Sequence, residues 1–326
     1  MKYSSKELKK FSSQIRFALD NYTPHRIDKD PLNAVLICGT GPSGTAGRVV
    51  KNYFHDKIDL PVEYVSGYTL PRFAGKNTLV VIWSYSGNTE EALAVYDIAR
   101  EKECRIIVIS SGGKLAEKAG RNEDILYPAE PGCPENMAAG FSLTYLFQVF
   151  FELLGLYKKP DLVKIADAME QSADYIMHSG EIAQSFKNTL RDKFIVVSDS
   201  YFEGAAIRFC QQINQNAKSE AFVSVLPEAS HHLLESYYEK RGSNFIFLNS
   251  RQVHRTNLHF SFLKELLKKN GTEPVEMLVA DASLNTLFHV VHLLDWLSLQ
   301  IAEGLGSVSN ESSYVSELEG LLEKQV

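Results

Sequence analysis

Thr78-Leu79-Val80-Val81-Ile82-Trp83-Ser84-Tyr85-Ser86-Gly87-Asn88-Thr89-Glu90-Glu91 is an apolar run that ends in hydroxyls and then opens a helix. Its first six residues have the composition of a strand buried on both faces, and the pattern from Glu91 to Glu101 has helical period. A strand joined to a helix in this way is half of a βαβ unit, so the chain is expected to build a parallel sheet. The junction also reads as an anion cup. The first N–H groups of the helix lack intrahelical acceptors, the helix dipole is positive there, and Ser84, Ser86 and Thr89 add O–H donors. No Lys stands in the loop and no Gly-Lys-Ser/Thr follows, which excludes a nucleotide P-loop. An ordinary βα turn capped by Thr89 is the alternative reading.

A second loop of this kind stands upstream. Ala34-Val35-Leu36-Ile37-Cys38 reads as a strand and runs into Gly39-Thr40-Gly41-Pro42-Ser43-Gly44-Thr45-Ala46-Gly47. Gly39, Gly41 and Gly44 satisfy the GxGxxG pattern, but a dinucleotide site also needs an acid at the end of the next strand. That strand, near Pro61–Val65, ends in Ser66-Gly67, with Glu63 near its start. Ser43 and Thr45 are therefore read as further phosphate donors beside the close backbone approach at Gly41. Two hydroxyl-rich loops at neighbouring strand ends point to a phosphomonoester.

Further strands are expected at Arg105–Ser110 and Asp124–Tyr127, with an amphipathic helix over 5–20 and an apolar helix over 138–155. The alternation restarts with strands at 194–197, 222–226, 244–248 and 275–279, a helix over 204–216 and a long helix over 283–304. The fold class is α/β, with two doubly wound parallel-sheet lobes and flanking helices. The expected division is an N-terminal lobe, 1–155, carrying the phosphate loops, and a C-terminal lobe, 156–326.

Composition narrows the function. The 326 residues are 44% hydrophobic and 23% charged, as in an ordinary globular protein. A formal charge of −6 argues against a nucleic-acid or anionic-membrane surface. No apolar run approaches the roughly eighteen residues of a membrane span. The N-terminus lacks a signal-peptide core. Cys38, Cys104, Cys133 and Cys210 stand far apart without a CxxC, which reads as reduced thiols in a cytoplasmic protein. His231, His232, His254 and His259 fall on different elements without ligand spacing, so neither a metal nor a cofactor is expected.

Three later motifs complete the pattern. They are Arg208 with Asn214-Gln215-Asn216-Ala217-Lys218, then Leu226-Pro227-Glu228-Ala229-Ser230-His231, then Asp295-Trp296-Leu297-Ser298. With the two loops, they make nearly the whole chain resemble the sugar isomerase (SIS) domain superfamily, and within it the bifunctional phosphoglucose/phosphomannose isomerase family. The resemblance implies aldose–ketose isomerisation of glucose 6-phosphate or mannose 6-phosphate to fructose 6-phosphate. It implies a phosphate cup on Gly41, Ser43, Ser84, Ser86 and Thr89, and ring opening by His231. It also implies a homodimer in which that histidine serves the partner's site.

The chain departs from the family at the reacting centre. The catalytic Glu of the family corresponds to Gln215, at an unchanged separation from His231, and a carboxamide has no useful basicity. The family's Arg after Gly-x-Pro corresponds to Glu135, following Gly132-Cys133-Pro134. The C-terminal Lys of a Leu-Lys pair corresponds to Leu322 in Leu321-Leu322, with Lys324 nearby. Three readings follow: a base relocated to Glu135 or Glu228, a non-catalytic phosphosugar-binding or regulatory protein, or a lyase or deglycase acting on a phosphosugar adduct. A Ser-nucleophile hydrolase is excluded for want of a Gly-x-Ser-x-Gly elbow.

Overall fold

The structure is a computed structural model that describes residues 2–237, 242–277, 279, 281–307 and 313–322. The chain opens with α1 (Lys2–Leu8) and α2 (Phe11–Asp20), where one continuous helix over 5–20 is expected. The break falls at two exposed lysines, and Lys10 reaches back to Glu7 in an ion pair of 2.9 Å. Next come β1 (Ala34–Cys38), α3 (Gly41–Phe54), β2 (Val62–Val65), β3 (Thr78–Trp83) and α4 (Glu90–Glu101). The lobe closes with β4 (Arg105–Ser110), α5 (Gly113–Arg121) and β5 (Ile125–Pro128).

These strands form one parallel sheet in the order β2-β1-β3-β4-β5. β1 and β3 are buried along their whole length, as their unbroken apolar runs require. The strand order reverses between them, which opens a crevice beyond their carboxyl ends. Because Cys38 pairs with Ile82, the loops that follow β1 and β3 leave the sheet side by side.

α6 (Ala139–Leu153), α7 (Lys159–Ala168) and α8 (Ser172–Gln184) connect to a second alternation. It consists of β6 (Lys193–Ser198), α9 (Glu203–Gln212), β7 (Ala221–Val225), α10 (Leu234–Tyr237), β8 (Ser243–Leu248), α11 (His254–Lys269) and β9 (Val275–Met277). α12 (Leu284–Gly304) and α13 (Ser313–Leu322) follow. The second sheet, β7-β6-β8-β9, is also parallel and repeats the order of the first four strands.

One continuous core joins the two sheets. α6 is buried on nearly every side, as its all-round apolar sequence demands, and its phenylalanines share a cluster with α3, α9 and α12. α3 and α9 cross at backbone distance. A Cβ on Gly204 would lie 2.5 Å from the Val49 nitrogen, and the Gly204 N–H donates to Asn52 Oδ1 at 2.8 Å. Smaller apolar clusters cover the outer faces of each sheet.

α6 also anchors the segment after α2 through charge. Glu152 accepts from Tyr22 Oη at 2.6 Å, His25 N at 3.0 Å and Arg26 N at 2.7 Å. Burial works against its carboxylate, but the three donors outweigh it and hold the group below the usual range. Its contribution to stability is therefore present above the ordinary carboxylate pKa and is lost as pH falls through the depressed folded value. Glu152→Gln is expected to flatten the acid limb of stability, read as urea midpoints from about pH 6 to about pH 3. Parallel acid limbs for the two proteins would remove this account.

Candidate functional site

Ser84 leaves β3 only 1% exposed, and its hydroxyl is engaged inside the loop. Ser84 Oγ accepts from Gly87 N at 3.1 Å and shares a 2.8 Å bond with Thr89 Oγ1. Thr89 stands at the N-cap position of α4, yet its hydroxyl caps no helix N–H because it is turned to Ser84. When Ser84 donates in that pair, the Thr89 proton remains for a ligand. Ser86 is half-buried, its Oγ accepts from Asn88 N at 3.3 Å, and its proton is likewise available. No side chain caps α3 or α4, so the first N–H groups of both helices add donors at the same crevice.

Gly87 sets the shape of this cup. It adopts φ +68°, and a Cβ there would lie 1.9 Å from the Gly112 oxygen and 2.7 Å from Ser110 Oγ. The loop is thereby pressed against the end of β4, where Ser111 donates to the Tyr85 oxygen at 2.6 Å. In the upstream loop, Gly41 has φ +54° and is exposed, and Ser43 sits in the first turn of α3. Thr45 does not serve as a phosphate donor: it is 1% exposed and its hydroxyl donates to the Pro42 oxygen at 2.8 Å, within its own helical turn. Tyr64 from β2 donates to the Gly39 oxygen at 2.6 Å and carries Arg48 4.2 Å above its ring. An aromatic side chain from the next strand thus closes the glycine loop on the side from which a dinucleotide-binding acid would approach.

The expected helix over 204–216 changes form before it ends. α9 stops at Gln212, Ile213–Ala217 forms a π-turn, and Lys218 takes φ +55°. Such turns recur at functional sites because the extra residue turns a side chain outward. Gln215 is exposed here, while Asn216 points inward and donates to Ser298 Oγ at 2.9 Å. Beneath it Arg208 pairs with Asp295 at 2.7 Å, and Gln212 donates to the other oxygen of Asp295 at 3.1 Å. Burial pushes the Asp295 carboxyl upward, opposed by the guanidinium and by Gln212.

This buried network reaches across to the first lobe. Arg208 and Gln212 each donate to the Asn136 oxygen at 2.8 Å. Asn136 Nδ2 lies 3.2 Å from both Gln212 Oε1 and Asn216 Oδ1. Asn136 belongs to the short 3-10 turn Glu135–Met137, so Glu135, which is exposed, is held beside the turn that carries Gln215. The same segment is tied to the cup. Tyr85 Oη donates to the Glu130 oxygen at 2.7 Å and accepts from Cys133 N at 2.7 Å. Burial pushes the Tyr85 hydroxyl up to about 12, so it stays protonated. Cup, Glu135 and Gln215 are thus joined within one chain. Tyr85, Asn136 and Gln212 make these ties, and no sequence motif marks them for that part.

Glu228 and His231 lie apart from this assembly. They bound a 3-10 turn after β7, the edge strand of the second sheet. Glu228 is exposed and paired with His232 at 3.1 Å. His231 is exposed, and among the described residues its ring makes no hydrogen bond and has no tie to the cup. Lys324 falls outside the described residues. His259 Nδ1 is engaged by Ser230 Oγ at 2.7 Å, and no metal-binding group of three or more His, Cys, Asp or Glu occurs among the described residues. In the second lobe the loop after β6, the counterpart of the glycine loop after β1, carries its own carboxylate. Asp199 accepts from Tyr201 N at 3.0 Å, Phe202 N at 3.2 Å and Ser250 N at 2.7 Å.

Comparison with known proteins follows the same lines. The family described as bacterial phospho-glucose isomerase C-terminal SIS domain matches residues 178–321. The chain is 30% identical to the bifunctional phosphoglucose/phosphomannose isomerase of Aquifex aeolicus over 287 residues, covering 86% of this chain and 87% of that protein. It is 35% identical to the D-glucosamine-6-phosphate 4-epimerase of Sulfolobus acidocaldarius over 210 residues, 64% of this chain and 65% of the other. In fold it superposes on glucosamine-6-phosphate deaminase from Thermotoga maritima with a TM-score of 0.75 at 15% identity, covering 94% and 96% of the two chains.

Proposed function

The chain belongs to the bifunctional phosphoglucose/phosphomannose isomerase family, and from that premise we infer that it is a hexose-phosphate isomerase, interconverting glucose 6-phosphate or mannose 6-phosphate with fructose 6-phosphate, with its base relocated to Glu135. The non-catalytic and lyase readings are not favoured by the named relatives. The observation that carries the relocation is the tie from Asn136 to Gln212 and Asn216, which flank Gln215. Glu228 is the weaker candidate, because its carboxylate is engaged with His232 and has no tie to the cup.

In this reading Gly41, Ser43, Ser84, Ser86 and Thr89 form the cup. Ser86, Thr89 and the helix N–H groups meet the phosphate, while Ser84 orients Thr89. The phosphate supplies binding energy remote from the reacting carbons. Glu135 takes the C2 proton of the open aldose and returns it to C1, as the O2 proton passes to O1. The proton balance closes on the substrate, and no cofactor enters. His231 opens the sugar ring in the partner's site, so the working unit is a homodimer in the cytoplasm. No helix among the described residues is long and apolar enough to cross a membrane.

The test is proton exchange with fructose 6-phosphate in D2O, followed at C1 by NMR, with thermal shift as the binding readout. Deuterium entering C1 supports the reading. Binding without exchange removes it. A second reading, epimerisation of a hexosamine 6-phosphate at C4, is favoured by the 35% identity to the Sulfolobus acidocaldarius enzyme together with Gln215 at the base position. Incubation with glucosamine 6-phosphate and NMR of the C4 proton separates the two. In either case Ser86→Ala is expected to weaken sugar-phosphate binding by ~1–2 kcal/mol through loss of a charge-assisted donor. Unchanged affinity by calorimetry would remove the cup from the site.

A further inference from the structure

Tyr85 lies inside the phosphate loop, yet its hydroxyl is directed away from any ligand and into the chain that leads to Glu135. It is 5% exposed, and both of its hydrogen bonds, one given and one received, go to backbone groups of the 130–133 segment. Two residues later Glu135 begins the 3-10 turn. Beyond it, Asn136 fastens the turn to α9 and the π-turn through three side chains, Arg208, Gln212 and Asn216. Between these two fastenings Gly132 takes φ +91°, and Gln14 Nε2 braces the segment from α2, at 3.5 Å from Cys133 Sγ and 2.9 Å from the Met137 oxygen.

We propose that Tyr85 and Asn136 are positioning residues that hold the Glu135 carboxylate at a set distance from the phosphate cup. This rests on the reading of Glu135 as the base. The phosphate fixes one end of the substrate, and the two carbons that exchange a proton lie at the other. A base shared by C1 and C2 must therefore be set relative to the cup, and a short rigid clasp from the cup loop does that more directly than the distant core. The same arrangement favours hexose 6-phosphates over shorter sugar phosphates, whose C1 and C2 would fall short of the turn.

The experiment compares wild type, Tyr85→Phe, Asn136→Ala and Glu135→Gln in kcat and KM for fructose 6-phosphate exchange, in Tm, and in amide hydrogen exchange over 130–137. Tyr96→Phe is the control. It removes another buried tyrosine hydroxyl of the same lobe, one bonded to Asp124 at 2.6 Å and remote from the turn. Tyr85→Phe is expected to lower kcat about tenfold to a hundredfold, the scale of a misplacement near 1 Å. KM should stay within about threefold because the phosphate donors are intact, and amide exchange at Cys133 should rise. Tyr96→Phe is expected to lower Tm alone. Asn136→Ala loosens the same turn from its other end, so the proposal does not depend on one variant folding. If Tyr85→Phe and Asn136→Ala lower Tm while kcat is unchanged, the clasp is structural and the proposal falls. An active Glu135→Gln, or an inert wild type, removes the base assignment instead, and the proposal with it.

Discussion

Asp295→Ala is expected to destabilise the fold by about 3–5 kcal/mol, the cost of leaving one member of a buried ion pair without its partner. The side chains of Arg208 and Asp295 are 5% and 1% exposed, so neither can turn to water when the other is removed. The loss extends further, because Gln212 also donates to Asp295 and Arg208 Nε is already buried without an acceptor. Arg208→Met combined with Asp295→Leu is a different case. Removing both charges leaves nothing to desolvate, and such pairs are often replaced at little cost or with a gain. The double variant is expected to regain most of the stability while losing one of the two donors that hold the Asn136 carbonyl. Urea unfolding of the three proteins separates these outcomes. A single-variant loss below about 1 kcal/mol would mean that water reaches the pair.

What was legible in the chain was local. Each strand announced itself by an apolar run, and each hydroxyl-rich junction by residues within a few positions of one another, so both sheets and the cup loops follow from neighbours in sequence. The misreadings share one cause: a side chain that looks free in sequence found a partner in space. Thr45 looked like a ligand donor and bonded its own turn at Pro42, and the alternative reading of Thr89 as a helix cap gives way to its bond with Ser84. Nothing in the sequence singles out Tyr85, because its partners at 130 and 133 are backbone groups that no pattern of residue types reveals. The π-turn was invisible for a similar reason. Ile213, Asn216 and Ala217 are all buried there, so the pattern runs on as though the α-helix continued.

The second lobe shows why topology alone does not make an anion site. β6 and α9 repeat the geometry of β1 and α3, and their junction likewise presents the first N–H groups of a helix. There the donors are satisfied by Asp199, which bonds the backbone at 201, 202 and 250. A carboxylate built into the loop takes up those donors itself.

Glu135→Gln is expected to slow deuterium entry at C1 of fructose 6-phosphate by about 10²–10⁴-fold, the range lost when a general base is removed. Tm should be unchanged, because the Glu135 side chain is exposed and makes no hydrogen bond or ion pair among the described residues. The informative partner is Gln215→Glu in the same background. Asn136 ties the 3-10 turn that carries Glu135 to Gln212 and Asn216, on either side of Gln215. A carboxylate restored at 215 should therefore face the same carbons and recover part of the lost rate. Gln215→Glu alone places a second carboxylate on the adjoining turn, so one of the two is expected to hold its proton to higher pH and move the acid limb of the rate profile upward. If Glu135→Gln leaves exchange intact while Glu228→Gln abolishes it, the base belongs to the His231 turn, and the Asn136 tie is a packing device. If the Glu135→Gln/Gln215→Glu swap regains the rate, one carboxylate has moved between two adjoining turns with the cup unchanged. The family's reaction then survives a substitution that, position by position, looks fatal to it.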